Sequence, residues 1–176
     1  MDSTQFPTLT TKRLVLRELK LSDADNLFML RSDKRVNIYL DRPETTTITQ
    51  AVKFINNIIK AESFYWAIAS KEDDKLIGTI CYWNIDKENA TAEIGYELHP
   101  MLQGQGIMHE ALQVIIAFGF EKLKLQSIEA HVHAENNSSL KVLEKNNFKR
   151  DITPRADAGP EIVYSLNLNT NKNIES

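Results

Sequence analysis

The sequence predicts an α/β (α+β) fold with a mixed, largely antiparallel central sheet of about seven strands and four helices. Three observations lead to this class. Short alternating apolar runs bounded by turn residues predict the strands, and apolar residues at helical spacing predict the helices. Three strands follow one another between residues 64 and 98 with only short turns, which predicts an antiparallel meander. Helices separate the other strands, so the sheet is mixed.

The first half of the chain carries one strand and two helices. Ser22 is a good N-cap for the first helix, and Thr47 or Thr49 can cap the second, because their hydroxyl oxygens can accept a backbone N–H bond. The predicted elements are a polar lead-in over 1–11, a strand over 13–19, a helix over 24–31, a loop with one helical turn over 33–46 and a helix over 51–59.

The second half alternates strands and helices. Pro100 ends the last strand of the meander, and Asn147 stands where a helix stop needs a left-handed residue. The predicted elements are strands over 64–70, 76–83 and 91–98, a helix over 110–120, a strand over 126–133, a helix after 136–139, strands over 148–153 and 161–168 with a turn over 155–160, and a polar tail over 169–176.

Length and composition exclude several classes of protein. We expect one domain over residues 1–176, with a core of about 10–168. The chain has no long apolar run and no leader-like start, which predicts no membrane partner. A net charge of -3 argues against nucleic-acid binding. Cys81 is the only cysteine and cannot form an internal disulfide, which fits the cytoplasm.

A glycine-containing loop over residues 102–108 joins a predicted strand to the most apolar helix. Backbone N–H groups at such a helix start attract an anion such as a phosphate or diphosphate. A dinucleotide fingerprint needs a third glycine where His109 stands, and a triphosphatase loop needs a Gly-Lys pair that the chain lacks. What remains is Gln103-x-x-Gly106-x-Met108, followed downstream by Asn136-x-x-Ser139.

These motifs resemble those of the GNAT superfamily of acyl-CoA-dependent N-acetyltransferases, and most closely the branch of the ribosomal-protein N-terminal acetyltransferases. The family has Gln/Arg-x-x-Gly-x-Gly/Ala before its central helix, so Met108 is a mild departure. Further similar segments are Thr11-Lys12-Arg13-Leu14-Val15-Leu16-Arg17, Trp66-Ala67-Ile68, Leu76-Ile77-Gly78, Glu93-Ile94-Gly95-Tyr96, Glu110-Ala111 and Asn136-x-x-Ser139-x-x-Val142-Leu143-Glu144-Lys145. The likeness covers about residues 10–168.

The resemblance implies a site for acetyl-CoA as co-substrate, in a cleft between the fourth and fifth predicted strands. Asn136 would contact the pantetheine arm, and Ser139 would reach the sulfur and protonate the departing thiolate; capping of the following helix is the alternative role of both. The cofactor-binding residues are predicted to be Leu98, through its backbone N–H at the thioester oxygen, Gln103, Gly104, Gln105, Gly106, Ile107 and Met108 at the diphosphate, and Asn136 and Ser139.

Direct attack of an amine on the thioester needs a group that accepts the amine's proton. Glu93 and Glu97 share a strand face near this site, and the motif context favours Glu93; either can instead stay solvated or hold a substrate cation. His131 and His133 also share a strand face, but no third ligand is spaced to complete a metal site, so no metal is expected. Cys81 is not needed as a nucleophile.

Three functions stay open at this point. The acceptor is a protein N-terminal α-amino group or a small amine such as a polyamine, an amino sugar or an amino acid. The third alternative is an acyl-CoA-binding module without activity, against which the retained Asn136 and Ser139 argue. The acceptor pocket is expected within residues 33–56, the least patterned part of the chain. The chain is predicted to be a monomer or a homodimer.

Overall fold

A computed structural model describes residues 6–152 and 159–168 of the chain. Within these residues it has eight strands and five α-helices, together with 3-10 turns at Leu21–Asp23 and Pro100–Leu102. The strands are β1 Leu9–Thr10, β2 Leu14–Glu18, β3 Tyr65–Ser70, β4 Leu76–Asp86, β5 Thr91–Leu98, β6 Ser127–His133, β7 Lys149–Arg150 and β8 Glu161–Asn167. The helices are α1 Ala24–Ser32, α2 Lys34–Asn37, α3 Ile48–Lys60, α4 Ile107–Glu121 and α5 Asn137–Lys145.

The eight strands form one mixed sheet in the order β1-β2-β3-β4-β5-β6-β8-β7. β1, β2, β3 and β4 pair antiparallel in sequence, and β6, β8 and β7 also pair antiparallel. β5 and β6 pair parallel, with α4 in the connection, as a parallel pair requires. The predicted mixed, largely antiparallel α/β class is therefore confirmed.

The structure adds one strand and one helix to the predicted seven and four. β1 lies in the stretch that we predicted to be only a lead-in, since two residues are too short to show a period. α2 forms the helical turn predicted within residues 33–46. Its first turn is capped by the Asp33 carboxylate, which accepts a hydrogen bond from the Arg35 backbone N–H at 2.8 Å.

The predicted N-cap of the first helix is wrong, although the helix begins at the predicted Ala24. Ser22 lies inside the 3-10 turn, and the N-cap of α1 is Asp23. The buried Asp23 carboxylate accepts the Lys20 backbone N–H and two hydrogen bonds from the Arg17 guanidinium at 2.8 and 2.9 Å. This buried ion pair, together with the Lys20 bond, holds the 3-10 turn ahead of the helix.

Other element ends agree with the sequence to within a few residues. Thr47, rather than Thr49, caps α3 in a capping box with Gln50. Asn147 has the predicted left-handed conformation, with φ of 65°. The strand predicted over 148–153 is reduced to the two residues of β7. Residues 153–158, with most of the predicted turn, and the predicted tail lie outside the described residues.

The described residues form two compact units. The first unit comprises the residues up to Cys81 and Tyr96–Ala111. Its helices α1 and α3 pack on the strands through an apolar core. The core residues are Leu19, Ala24, Leu27, Leu30, Ala51, Ile55, Ala67 and Leu76. Where β4 and β5 meet in this unit, a Cβ on Gly78 would lie 2.5 Å from the Glu97 carbonyl oxygen, so only glycine fits there.

The second unit comprises Tyr82–Gly95 and the residues from Leu112 onward. The α4 residues Leu112, Ile115, Ile116 and Phe120 are buried in it, as the apolar pattern predicts. The buried Tyr82 hydroxyl donates a hydrogen bond to the Ile115 carbonyl at 2.9 Å.

Among the described residues, none of the helices combines the length and the apolar character that crossing a bilayer requires.

Candidate active site

The loop between β5 and α4 changes direction at two glycines of the first unit. Gly104 and Gly106 have φ of 75° and 73°, in the left-handed region that glycine adopts without a steric penalty. A Cβ added to Gly104 would meet no heavy atom within 4 Å among the described residues, so space is available above the loop. Backbone N–H groups at such a turn suit an anion, and the loop therefore fits a diphosphate.

The two glutamine side chains of the loop brace the loop itself. Gln103 Nε2 donates to the carbonyl oxygen of Leu98 at 3.3 Å, and Gln105 Nε2 donates to that of Met101 at 3.0 Å. Both contacts fix the loop against the segment that precedes it. Each contact uses one of the two N–H bonds of the side-chain amide, and both hold the loop in the shape in which its backbone N–H groups can meet an anion, as predicted for this loop.

α4 starts directly behind the second glycine, three residues earlier than predicted. The Glu110 N–H donates to the Gly106 carbonyl at 3.0 Å, so the N–H groups of Ile107 and Met108 precede the first intrahelical bond. The Met108 side chain is buried, with 8% of it exposed. The methionine that departs from the family pattern therefore does not stand on the exposed surface of the loop.

Two residues from the start of the chain hold the loop and the first turn of α4. Arg13 donates from Nε to Glu110 Oε2 at 2.7 Å and from Nη1 to the Gln105 carbonyl at 3.0 Å. The Thr11 hydroxyl donates to the same carboxylate. Burial alone would raise the pKa of the Glu110 carboxyl, but the bonds from Thr11 and Arg13 lower that pKa to about 2.

Glu97 is the centre of a buried ion-pair cluster in the first unit. Its Oε2 lies 2.6 Å from Arg42 Nη2, and its Oε1 lies 3.7 Å from Arg31 Nη1. The Thr79 hydroxyl donates to Oε1 at 3.1 Å. The Arg31 guanidinium also stacks on the Phe54 ring, 4.0 Å from its centroid. The negative charge of the Glu97 carboxylate is thus balanced by two guanidinium groups.

This cluster connects the predicted acceptor region to the end of β5. Arg42 also donates from Nε and Nη2 to the Asn37 side-chain oxygen at 3.1 and 2.8 Å, so it bridges α2 and Glu97. The Tyr65 hydroxyl lies 3.0 Å from Thr79 Oγ1. Burial, and then the negative charge of Glu97, raise the pKa of Tyr65 well above its ordinary value, so Tyr65 remains a neutral phenol.

A groove of about 320 Å³ lies beside the segment that follows β5 in the first unit. Most of its lining is apolar and comes from α1, β4 and the 3-10 turn at Pro100–Leu102. The lining includes Met29, Leu30, Ile77, His99, Met101 and Leu102. The His99 Nδ1 accepts the Met101 N–H at 3.3 Å, which places the proton of a neutral imidazole on Nε2.

Glu93 lies in the second unit, in surroundings unlike those of Glu97. Its Oε1 accepts a hydrogen bond from Asn84 Nδ2 at 2.8 Å and lies 4.0 Å from His131 Nε2. The Glu93 side chain is 23% exposed. In this unit β5 and β6 are in parallel register from Thr91 to Glu93, so Glu93 is the last residue of β5 that pairs with β6.

Asn136 and Ser139 begin α5 in the second unit. Asn136 is the N-cap, and its side-chain oxygen accepts the Ser139 N–H at 3.2 Å. The capping role is therefore present for Asn136, and it leaves the amide nitrogen of that side chain available as a donor. Ser139 takes part through its backbone, which leaves its hydroxyl for other chemistry.

No group of three or more His, Cys, Asp or Glu side chains with the geometry of a metal site occurs among residues 6–152 and 159–168. His131 lies 3.6 Å from Glu129 Oε2, and His133 Nδ1 accepts the Glu135 N–H.

Sequence reasoning did not assign roles to Arg13, Arg31, Arg42 or Thr79. A segment with Arg13 did belong to the quoted motifs, but nothing in it pointed to the loop 92 residues later. Arg42 stands in a stretch without a period, so no local signal marked it.

The comparisons with known proteins agree with this geometry. The sequence profile described as an acetyltransferase (GNAT) domain matches residues 13–149. The uncharacterized N-acetyltransferase p20 of Bacillus licheniformis is 39% identical over 148 residues, which cover 82% of this chain and 83% of that protein. The ribosomal-protein-serine acetyltransferase of Escherichia coli (strain K12) is 38% identical over 77 residues, 44% of this chain and 43% of that protein.

A solved structure shares the fold. The microcin C7 self-immunity acetyltransferase MccE, in complex with acetyl-CoA and AMP, matches with a TM-score of 0.73 at 21% identity over 89% of this chain and 93% of that one. The domain match extends from β2 to β7 and includes the glycine loop. The chain therefore belongs to the GNAT family of N-acetyltransferases.

Proposed function

We propose that this protein transfers the acetyl group of acetyl-CoA directly to a primary amine, and that the acceptor is a protein N-terminal α-amino group. One observation carries the donor assignment: two left-handed glycines lead into N–H groups at the start of α4 that precede its first intrahelical bond, in a chain of the GNAT family. The nearby carbonyl and carboxylate groups of Gln105 and Glu110 are bound by Arg13, which limits their repulsion of an anion.

The proposed reaction balances without an acyl-enzyme. The neutral amine forms a C–N bond with the thioester carbon, the C–S bond breaks, and the amine loses a proton. The backbone N–H of Leu98 is proposed to stabilise the oxyanion. Asn136 is proposed to bind the pantetheine arm, and the Ser139 hydroxyl to protonate the leaving thiolate. Acetyl-CoA supplies the activated acetyl group, and no metal takes part.

Glu93 is the preferred acceptor of the amine's proton, directly or through water. Its carboxylate is partly exposed and is held by the neutral Asn84 amide, whereas Glu97 is bound by Arg31 and Arg42. The two guanidinium groups and the Thr79 hydroxyl contact both oxygens of the Glu97 carboxylate, which is 5% exposed, so neither oxygen is open to a substrate amine. We therefore assign Glu97 the role of positioning the segment around Arg42. A catalytic role of Glu97 stays a prediction from the sequence.

Two observations support an N-terminal α-amino acceptor. A relative over part of the chain acts on a ribosomal protein by its name. The lining of the groove beside His99 is largely apolar, which suits a peptide end better than a polyamine. An α-amino group with a pKa near 8 is also about a tenth neutral at pH 7, whereas a lysine with a pKa near 10.4 is far less so. The proposed reaction fits a protein in the cytoplasm, where ribosomal proteins are made.

A small-molecule amine is the second candidate. The MccE complex contains AMP beside acetyl-CoA, so an enzyme of this fold holds a small molecule together with the donor. An amino acid, an amino sugar and a polyamine are the classes to test.

The deciding experiment is a screen of N-terminal peptides and small amines with acetyl-CoA, read by thiol release and by the mass of the product. We expect turnover with peptides that have a free α-amino group, and none with the same peptides blocked at the N-terminus. Turnover with small amines alone would select the second candidate. Binding of CoA by calorimetry without any turnover would instead identify an inactive acyl-CoA-binding protein.

A further inference from the structure

Arg13 is distant from the glycine loop in sequence and holds the loop through hydrogen bonds. Its Nε and its backbone N–H both donate to the Glu110 carboxylate, at 2.7 and 2.8 Å, and its Nη1 donates to the Gln105 carbonyl at 3.0 Å. These contacts join the start of β2 to both the loop and the first turn of α4. Since the partners lie 92 and 97 residues away in sequence, they fix a tertiary arrangement rather than a local turn.

The hydrogen bonds of Arg13 bind two groups that would otherwise repel an anion. The Glu110 carboxylate lies in the first turn of α4 and is taken up by Arg13 and by the Thr11 hydroxyl. The Gln105 carbonyl is turned toward Arg13 Nη1. A planar guanidinium can hold a carboxylate and a carbonyl at the same time, which a lysine ammonium on a flexible stem does less well.

The remaining donors of Arg13 lie beside the second glycine. A guanidinium has five N–H bonds, and the contacts above use two of them. A Cβ placed on Gly106 would have Arg13 Nη2 as a neighbour at 3.7 Å. Within residues 6–152 and 159–168, no acceptor binds Nη2. The Arg13 side chain is 45% exposed, so its charge is available at the surface of the loop.

We propose that Arg13 is a positioning residue for the diphosphate of the acyl donor. It holds the Gln105–Gly106 backbone and the start of α4 in the shape that presents their N–H groups, and it leaves a positive charge next to Gly106. The proposal rests on acetyl-CoA being the donor. It predicts that Arg13 acts on donor affinity and not on the chemical step.

The test compares Arg13→Ala with the wild type and with Lys12→Ala. Lys12→Ala removes the same charge from the neighbouring exposed residue, so it controls for long-range electrostatics. We expect Arg13→Ala to weaken CoA binding and to raise the KM for acetyl-CoA by about tenfold or more, the size of a lost charged hydrogen-bond pair. The kcat at saturating acetyl-CoA should stay within about twofold, and Lys12→Ala should change neither quantity by more than about twofold.

A donor without a diphosphate separates positioning from general damage. S-acetylpantetheine keeps the thioester arm, and Arg13→Ala should use it as well as the wild type does. An unchanged CoA affinity in folded Arg13→Ala would overturn the proposal, and so would an equal loss of kcat/KM with both donors. If Arg13→Ala does not fold, Arg13→Lys takes its place, and the KM for acetyl-CoA should again rise, because a lysine cannot hold the carboxylate and the carbonyl at the same time as well as the guanidinium does. A wild type that binds no CoA would instead refute the donor assignment itself.

Discussion

Two glutamates four residues apart on β5 have different partners. Glu97 has two arginines and a threonine hydroxyl around its buried carboxylate, and Glu93 has an amide and partial exposure to water. The strand pattern alone made both candidates for the base. Their partners distinguish the two roles. The buried Glu97 carboxylate is paired with guanidinium groups and so has a structural role, whereas the Glu93 carboxylate is held by a neutral amide.

The two glutamates should therefore respond differently to removal of their charge. Glu97→Gln leaves Arg31 and Arg42 without their shared anion and should lower the free energy of unfolding by about 3 kcal/mol. Glu93→Gln should cost little stability and should lower turnover more at low pH than at high pH, because fewer amines are neutral at low pH. Urea denaturation and pH–rate profiles of both variants measure this. A stable Glu97→Gln, or a pH-independent loss in Glu93→Gln, would contradict the assignment.

Gly119 in α4 packs against the hydroxyl group of Tyr82, and the absence of a side chain at Gly119 leaves the space for that hydroxyl. A Cβ on Gly119 would clash with the Tyr82 hydroxyl and would lie 3.3 Å from Ile128. Gly119→Ala should therefore destabilise the protein by about 1–3 kcal/mol in spite of its better helix propensity. Tyr82→Phe removes the clashing atom, so the double variant should lose less than the sum of the two single losses.

Thermal and urea denaturation of the two single variants and of the double variant give this coupling. Gly159→Ala is the matched control, because a Cβ there would meet nothing within 4 Å among the described residues. An additive double variant would show that the Tyr82 hydroxyl is not what excludes a side chain at position 119.

At the scale of elements, two nearby threonines could cap the start of α3, and Thr47 is the one that does. Thr47 Oγ1 accepts the Gln50 N–H at 3.3 Å, and the Gln50 side chain reaches back to the Thr47 N–H at 3.2 Å. Thr47→Ala should cost about 1 kcal/mol of stability. Thr49→Ala, two residues into the same exposed turn, should change stability by less than about 0.5 kcal/mol. Equal effects in chemical denaturation would mean that the cap does not set this helix.

The link between β2 and α4 gives stability that depends on pH. The pKa of Glu110 is lowered to about 2, so its stabilising contribution is present above the ordinary carboxyl pKa and is lost as the pH falls toward 2. Since Arg13 is partly exposed, we expect only about 1 kcal/mol between the wild type and Glu110→Gln at pH 7. Urea denaturation at several pH values should show this difference shrinking between about pH 4.5 and 2. A difference that is constant with pH would assign the loss to packing.

At the scale of the whole molecule, the donor should stabilise the folded chain. A ligand at one hundred times its Kd adds about 2.7 kcal/mol to the free energy of unfolding. For a protein of this length that corresponds to a rise in Tm of roughly 5–10 °C. Gly106→Glu places a side chain and a negative charge at a left-handed position in the loop and should abolish the rise. Gly159→Glu adds the same charge elsewhere and should keep it, and a rise that survives Gly106→Glu would place the donor at another site.

Local sequence patterns predicted many of the elements of the fold. β5 has the predicted bounds, since alternation, an entering turn and Pro100 all act within a few residues of one another. The start of α4 was missed by three residues, because Ile107 and Met108 were assigned to the glycine loop although they continue the apolar period of Ala111 and Leu112. The short elements β1 and β7 were missed or overextended, since such short strands exist only through pairing with their neighbours.

The sequence by itself determined the fold class, the glycine loop before α4 and the family that these motifs indicate. These features rest on spacings within one element or turn, where neighbouring residues decide the backbone conformation. Only the tertiary structure decided that Glu97 binds Arg42, that Glu110 binds Arg13, and that the loop glutamines brace the backbone. The two ion pairs join residues that are tens of positions apart, and no local period records which of many charged side chains meet once the chain has folded.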